Sequence, residues 1–437
     1  MSLNVKTGTI VQPGSTGNQT YTLDSGFDPK ALIIMCVGRA DGDTGGSANS
    51  TLCIGYATDR GGTAAQHYAA NCSADNVGTS VVHPISGTSK IVALTNGANT
   101  TLDLEVSFVE FQSNGFVLNW TNLSAITDVR LSYVVIGGSD VLDAHAGSIS
   151  SPASPGGVST TITAGFGQPD LLFFLQSWHG TDAPAANNND MWWGYGTKEY
   201  TGGGRGARWG SATAAATQAT NQGTFNNRAH HSGAIGGGTW VFSLDAPGGW
   251  PVDGFSTTWA SASGAGFPAY YMALRFSSSV VVDSGEVDMS TDAFTQTFLA
   301  SADKPRLALA MHCRTVASNS VDSTSGDASV LGMGAVDGDG NQWWMAASDD
   351  DGQAVASVCG TYQTALAMIG NADPSGSFAD GEGVATVAAD EFIIDWSTPT
   401  SNAFLMEWLT LAAPDPTSPV ITPDYRSFPK RHLARAA

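Results

Sequence analysis

Hydrophobic and polar positions are arranged along this chain in two ways. In Leu102-Asp103-Leu104-Glu105-Val106-Ser107-Phe108 they alternate strictly, as in a strand with one buried and one solvated face. In Ala31–Val37, Leu171–Leu175 and Leu307–Met311 the apolar run is continuous, as in a buried strand. Each run follows a proline turn that cannot continue a helix: Gly26-Phe27-Asp28-Pro29, Gly165-Phe166-Gly167-Gln168-Pro169 and Lys304-Pro305. Further turn signals come often, at Ser113-Asn114-Gly115, Asp253-Gly254 and Asp337-Gly338. No amphipathic helical stretch of convincing length is present.

The pattern repeats. Gly115-Phe116-Val117-Leu118-Asn119-Trp120 returns as Gly254-Phe255-Ser256-Thr257-Thr258-Trp259 and as Glu391-Phe392-Ile393-Ile394-Asp395-Trp396, the tryptophans 139 and 137 residues apart. The prolines before the apolar runs are 140 and 136 apart, and Gly55-Tyr56, Gly194-Tyr195 and Gly332-Met333 are 139 and 138 apart. Each copy closes on an aromatic strand, Tyr133–Ile136, Tyr271–Leu274 and Trp408–Leu411. Phe and Trp four positions apart share a strand face, so both rings would fill the space between two sheets. The expected fold is all-β: three tandem antiparallel, jelly-roll-like β-sandwich domains of eight to ten strands, at 1–139, 140–276 and 277–412. Almost no residues separate the copies, which predicts rigid stacking of neighbours. Residues 413–437 form an extended, Pro-rich, basic C-terminal arm, with Pro414, Pro416, Pro419, Pro423 and Pro429.

Composition narrows the function. Charged residues are only 13% of the chain, against roughly 25% in an average globular protein. The net charge of −21 repels phosphate backbones, so no nucleic-acid partner is expected. No apolar run reaches the roughly 18 residues of a membrane span, so no membrane insertion is expected. Met1–Lys6 leads straight into a strand pattern, which predicts synthesis without export, in a reducing cytoplasm. Five cysteines, an odd number without metal-ligand spacing, read as ordinary thiols.

Motifs that carry catalysis are missing: there is no Gly-x-Ser-x-Gly, His-Glu-x-x-His or phosphate-binding loop. The chain is therefore read as non-enzymatic, with no cofactor and no metal. Asp337-Gly338-Asp339-Gly340-Asn341 begins like a calcium loop, but Gln342 and Ser348 replace the required Gly and Glu, so a β-turn is expected. Asp349-Asp350-Asp351 reads as a solvated turn and His230-His231 as a solvated loop. The middle copy is rich in tryptophan. Core filling accounts for Trp193 and Trp259, which sit at repeat landmarks; a glycan or partner surface is the alternative, carried by Trp178, Trp192, Tyr200, Trp209, Arg205 and Arg208. In the arm, Tyr425, Arg426, Phe428, Lys430, Arg431 and Arg435 suit anchoring to an acidic or apolar groove. The arm carries +2, on a body of −23.

Four segments together, Gly26–Val37, Ile54–Thr58, Gly115–Trp120 and Tyr133–Gly138, resemble a repeated domain of structural proteins in tailed-bacteriophage virions. The first copy matches best, and the third lacks the Gly-Phe opening and the Gly-Gly ending. The resemblance implies a virion location: a capsid decoration, head spike or tail-surface component, in contact with other virion proteins and self-associating as a homo-oligomer. The alternative is a receptor- or glycan-binding tail-fibre module that meets a host surface glycan. A glycan hydrolase would need two carboxyl groups facing each other in a cleft, and no Asp or Glu stands out in one copy as an addition to the shared pattern.

Overall fold

The structure, a computed structural model, describes residues 2–40, 49–74, 81–95, 101–177, 190–199, 203–211, 220–233, 239–261, 268–289, 291, 295–299, 303–313, 315, 319, 329–349, 358–362, 367–370, 379–388, 391–399 and 404–414. The arm residues Tyr425, Arg426, Phe428, Lys430, Arg431 and Arg435 lie outside them. The described residues form antiparallel sheets that pair into sandwich units, with one short 3-10 turn at Pro247–Gly249.

The first ten strands are β1 (Asn4–Val11), β2 (Gly17–Thr22), β3 (Pro29–Ala40), β4 (Asn49–Arg60), β5 (Thr63–Ala74), β6 (Val81–Gly87), β7 (Val92–Thr95), β8 (Leu102–Gln112), β9 (Gly115–Asn122) and β10 (Val129–Gly137). The next ten are β11 (Val141–Ser150), β12 (Gly156–Thr161), β13 (Leu171–Ser177), β14 (Asp190–Thr197), β15 (Arg205–Ser211), β16 (Thr220–Phe225), β17 (His230–Gly233), β18 (Thr239–Leu244), β19 (Gly254–Ser261) and β20 (Pro268–Phe276). The last ten are β21 (Val281–Asp288), β22 (Thr295–Leu299), β23 (Pro305–His312), β24 (Ser329–Asp337), β25 (Gln342–Asp349), β26 (Val358–Tyr362), β27 (Ala367–Gly370), β28 (Ala379–Val387), β29 (Glu391–Thr398) and β30 (Leu405–Ala412).

One topology recurs in each set of ten. A six-stranded sheet is ordered β1-β10-β3-β4-β5-β6 and faces a four-stranded sheet ordered β2-β9-β8-β7; the sets beginning at β11 and β21 repeat both orders. Trp120, Trp259 and Trp396 lie on the corresponding strands β9, β19 and β29, all buried inside their own sandwiches. One landmark shifts. Strand pairing sets Ala31 opposite Thr58, Leu171 opposite Thr197 and Leu307 opposite Asp337. Tyr56 and Tyr195 therefore correspond to Ala335, and the matching glycine is Gly334, not Gly332. A slip of two residues keeps every side chain on its face, so alternation alone cannot detect it.

The continuous apolar runs have a physical reason. Leu32, Ile34 and Cys36 on β3 point into the first sandwich, whereas Ala31, Ile33, Met35 and Val37 point out of it into a second core. Strands β13 and β23 divide in the same way: Leu172 and Phe174 or Ala308 and Ala310 face inward, and Leu171, Phe173 and Leu175 or Leu307, Leu309 and Met311 face outward. The outward residues of all three six-stranded sheets meet in this one shared core. Strands β4 and β5 lie against β11 and β13, β14–β16 against β21, β23 and β24, and β24–β26 against β1, β3 and β4. Each sandwich thus presents its fourth to sixth strands to the first and third strands of the next, and the third sandwich returns to the first. The result is a closed, pseudo-threefold ring, whereas stacking of neighbours alone would leave a row.

A second repeated feature lies where the first strand of each sandwich pairs with its closing strand. Gly8, Gly147 and Gly285 sit directly opposite Tyr133, Tyr271 and Trp408. The ring of each partner lies over its glycine, and a Cβ there would overlap ring atoms.

Candidate functional site

Three seams join the sandwiches, and the chemically distinctive buried groups gather in them. At the first seam, Arg60 Nε is 2.9 Å from Asp143 Oδ1, and Lys30 Nζ donates to the Val141 carbonyl at 2.9 Å. The Ala146 N–H donates to Thr58 Oγ1 at 3.0 Å, and the His67 ring stacks on Tyr270 at 4.8 Å between centroids. Burial pushes the His67 imidazole down to about 4, and the neighbouring His145 adds to the effect.

At the second seam Arg205 Nη1 lies 2.7 Å from Glu407 Oε2, both groups buried. Glu286 stands directly across the strand pair from Glu407. Burial pushes the Glu407 carboxyl well up, Arg205 pulls it down, and Glu286 raises it again. The Tyr195 hydroxyl donates to the Trp408 carbonyl at 2.6 Å, and the Thr224 and Thr315 hydroxyls are 2.8 Å apart. The Asn319 amide donates to Asn226 Oδ1 at 2.6 Å, and the Val330 N–H to Gln222 Oε1 at 3.0 Å.

At the third seam the Trp343 Nε1–H donates to the Tyr133 carbonyl at 3.0 Å. The Thr7 N–H donates to Asp337 Oδ2 at 3.0 Å, and Lys6 Nζ is 3.2 Å from Asp339. Asp337 also accepts the backbone N–H groups of Asp339 and Asn341, each at 3.0 Å. Residues 337–341 are therefore the hairpin turn between β24 and β25, and the calcium-like carboxylate is used to tie that turn to the first sandwich.

The Trp-rich surface expected in the middle copy is placed differently. Trp192 is fully buried inside the second sandwich, its Nε1–H donating to the Ala229 carbonyl at 2.9 Å. Arg205 and Arg208 are buried too, Arg205 in the second seam; the Arg208 carbonyl there accepts from the Cys313 thiol at 3.3 Å. These three residues pack and do not line an open face. Trp178 and Tyr200 lie outside the described residues, as does the side chain of Trp209 on β15. Two other expectations need correction. His230 is not in a solvated loop: it is fully buried on β17, stacked on Phe242 at 4.9 Å, and burial pushes its imidazole down to about 3. And two carboxyl groups do stand out in the third copy. By strand pairing, Glu407 takes the place of Ser132 and Tyr270, and Glu286 that of Thr9 and Ser148. Only the pairing reveals them as additions, because neither lies within a motif.

Cys36, Cys53, Cys72 and Cys313 are buried thiols, with burial pushing Cys53 and Cys313 up to about 12. Such thiols are poor nucleophiles. An open depression of 480 Å³ on the second sandwich is lined by Gly167, Gln168, Asp170, Lys198, Val252, Arg275 and Phe276. Its Asp170 accepts the Phe276 N–H at 2.7 Å and lies 3.8 Å from Lys198, which makes it a structural carboxylate. No protein family, curated protein or solved structure matches the chain.

Proposed function

We propose that this chain is a non-enzymatic structural protein that decorates the surface of a tailed-bacteriophage particle, as a capsid decoration, head spike or tail component. The observation that carries the structural reading is the closed ring of three sandwiches around a shared core. The groups that would have chemical use in a cleft are taken up in holding it together: Arg205 and Glu407 neutralise each other, and Asp337 caps a turn and a neighbouring strand. A buried ion pair is costly to separate, and the Asp337 carboxylate is engaged by three backbone N–H groups, which suits fixed joints rather than turnover. The phage setting rests on the four resembling segments of the first copy.

The test is direct. Purified phage particles from a host carrying this gene should contain the chain by mass spectrometry, and an antibody against it should label one part of the particle in negative stain. The isolated chain should release no sugar from bacterial polysaccharides or peptidoglycan. Particles that lack the chain would overturn the setting, and release of sugar would overturn the non-enzymatic reading.

A further inference from the structure

We infer that His67, Arg205 and Trp343 are the residues that fix the order and direction in which the three sandwiches close, so that the free chain is a monomer with no seam surface left for a second copy. The three occupy one position. Each sits on the fifth strand of its sandwich, paired with Tyr56, Tyr195 and Ala335 respectively, and they are spaced 138 residues apart. Each meets the closing strand of the next sandwich. They meet that strand at nearly the same level: Tyr270 and Glu407 directly precede the aromatics Tyr271 and Trp408 that cover two of the glycines, and Trp343 reaches the carbonyl of the third aromatic, Tyr133.

The chemistry at this one position differs at every seam. His67 stacks on Tyr270. Arg205 pairs with Glu407 at 2.7 Å. Trp343, the largest of the three, donates its indole N–H to the Tyr133 carbonyl, and directly before Tyr133 this closing strand carries the small Ser132 where the other two carry Tyr270 and Glu407. No exchange among them works. Arg205 against Tyr270 or Ser132 is a buried guanidinium without its carboxylate, and Glu407 against His67 or Trp343 is a buried carboxylate without its guanidinium. Trp343 against Tyr270 forces an indole into the space that the smaller His67 imidazole fills.

A heterologous interface produces a ring when the rotation closes and an open filament when it does not. Here the connections hold successive sandwiches together: the Asp140 N–H donates to the Ser2 carbonyl at 3.0 Å and the Ser277 N–H to the Asp140 carbonyl at 2.8 Å. The third seam occupies the last free pair of surfaces. Among the described residues, a second copy therefore meets no unfilled seam.

The experiment is light scattering on size-exclusion fractions of the full chain and three variants, R205E, E407R and R205E/E407R. The wild type should give the 45.0 kDa of one chain throughout a micromolar dilution series, the concentration regime in which exposed apolar surfaces and strand edges associate. R205E and E407R should each populate species of two or more chains, because an opened seam offers its surfaces to another copy. The double variant, which restores the pair with reversed polarity, should return to a single one-chain species. A wild type of two or more chains overturns the inference. So do single variants that run like wild type, or a double variant as disturbed as the singles.

Discussion

Individual residues carry the seams, and two of the buried histidines make the molecule sensitive to acid. His67 and His230 are held neutral by burial, at about 4 and about 3, against roughly 6.5 in an unfolded chain. The unfolded state therefore takes up protons first as the pH falls. The stability these groups contribute is fully present above about pH 6.5 and is lost progressively down to about pH 4 for His67 and about pH 3 for His230. Each accounts for up to about 1.4 kcal/mol per pH unit inside its window. Thermal melts from pH 7 to pH 4 should show a falling Tm, and His67→Phe, which keeps a ring against Tyr270, should flatten the fall. An unchanged slope in that variant would contradict the role given to His67. Glycines are the second residue-scale test. Gly8→Ala, Gly147→Ala and Gly285→Ala should each cost about 1–3 kcal/mol in chemical denaturation, because the new Cβ meets the covering ring. A cost below about 0.5 kcal/mol would mean that the rings move aside freely.

At the scale of strands, Trp120, Trp259 and Trp396 fill equivalent places in three separate cores. Truncating any one to Ala should cost about 3–5 kcal/mol, read as loss of protection in hydrogen exchange that begins in the altered sandwich. Equal loss in all three sandwiches would show that the ring unfolds as one unit. Much of this level is legible in the sequence. Proline turns followed by apolar runs, and the Phe-x-x-x-Trp spacing, mark strand starts and inward faces by steric and periodic rules that hold locally. The register of the third copy is not legible, since Gly332-Met333 and Gly334-Ala335 offer the same pattern two residues apart. The seam residues are hidden for a related reason. Arg205 and Trp192 look alike as members of a polar, aromatic stretch, and only the pairing of strands sends one into a seam and the other into a sandwich core.

The whole molecule is the level at which the sequence speaks least. The continuous runs at Ala31–Val37, Leu171–Leu175 and Leu307–Met311 require cover on both faces of the six-stranded sheets, yet a local pattern does not name the covering element. The structure supplies it: each sheet is covered on one side by its own four-stranded partner and on the other by its two neighbours. Closure of the ring is thus the central claim, and small-angle X-ray scattering of the monomeric full-length chain tests it most directly. A compact body of this length has a radius of gyration of about 22 Å, and the closed ring should scatter within a few ångströms of that value (about 22–26 Å). Three sandwiches in a row would exceed about 30 Å, and a monomer of that size would contradict the account.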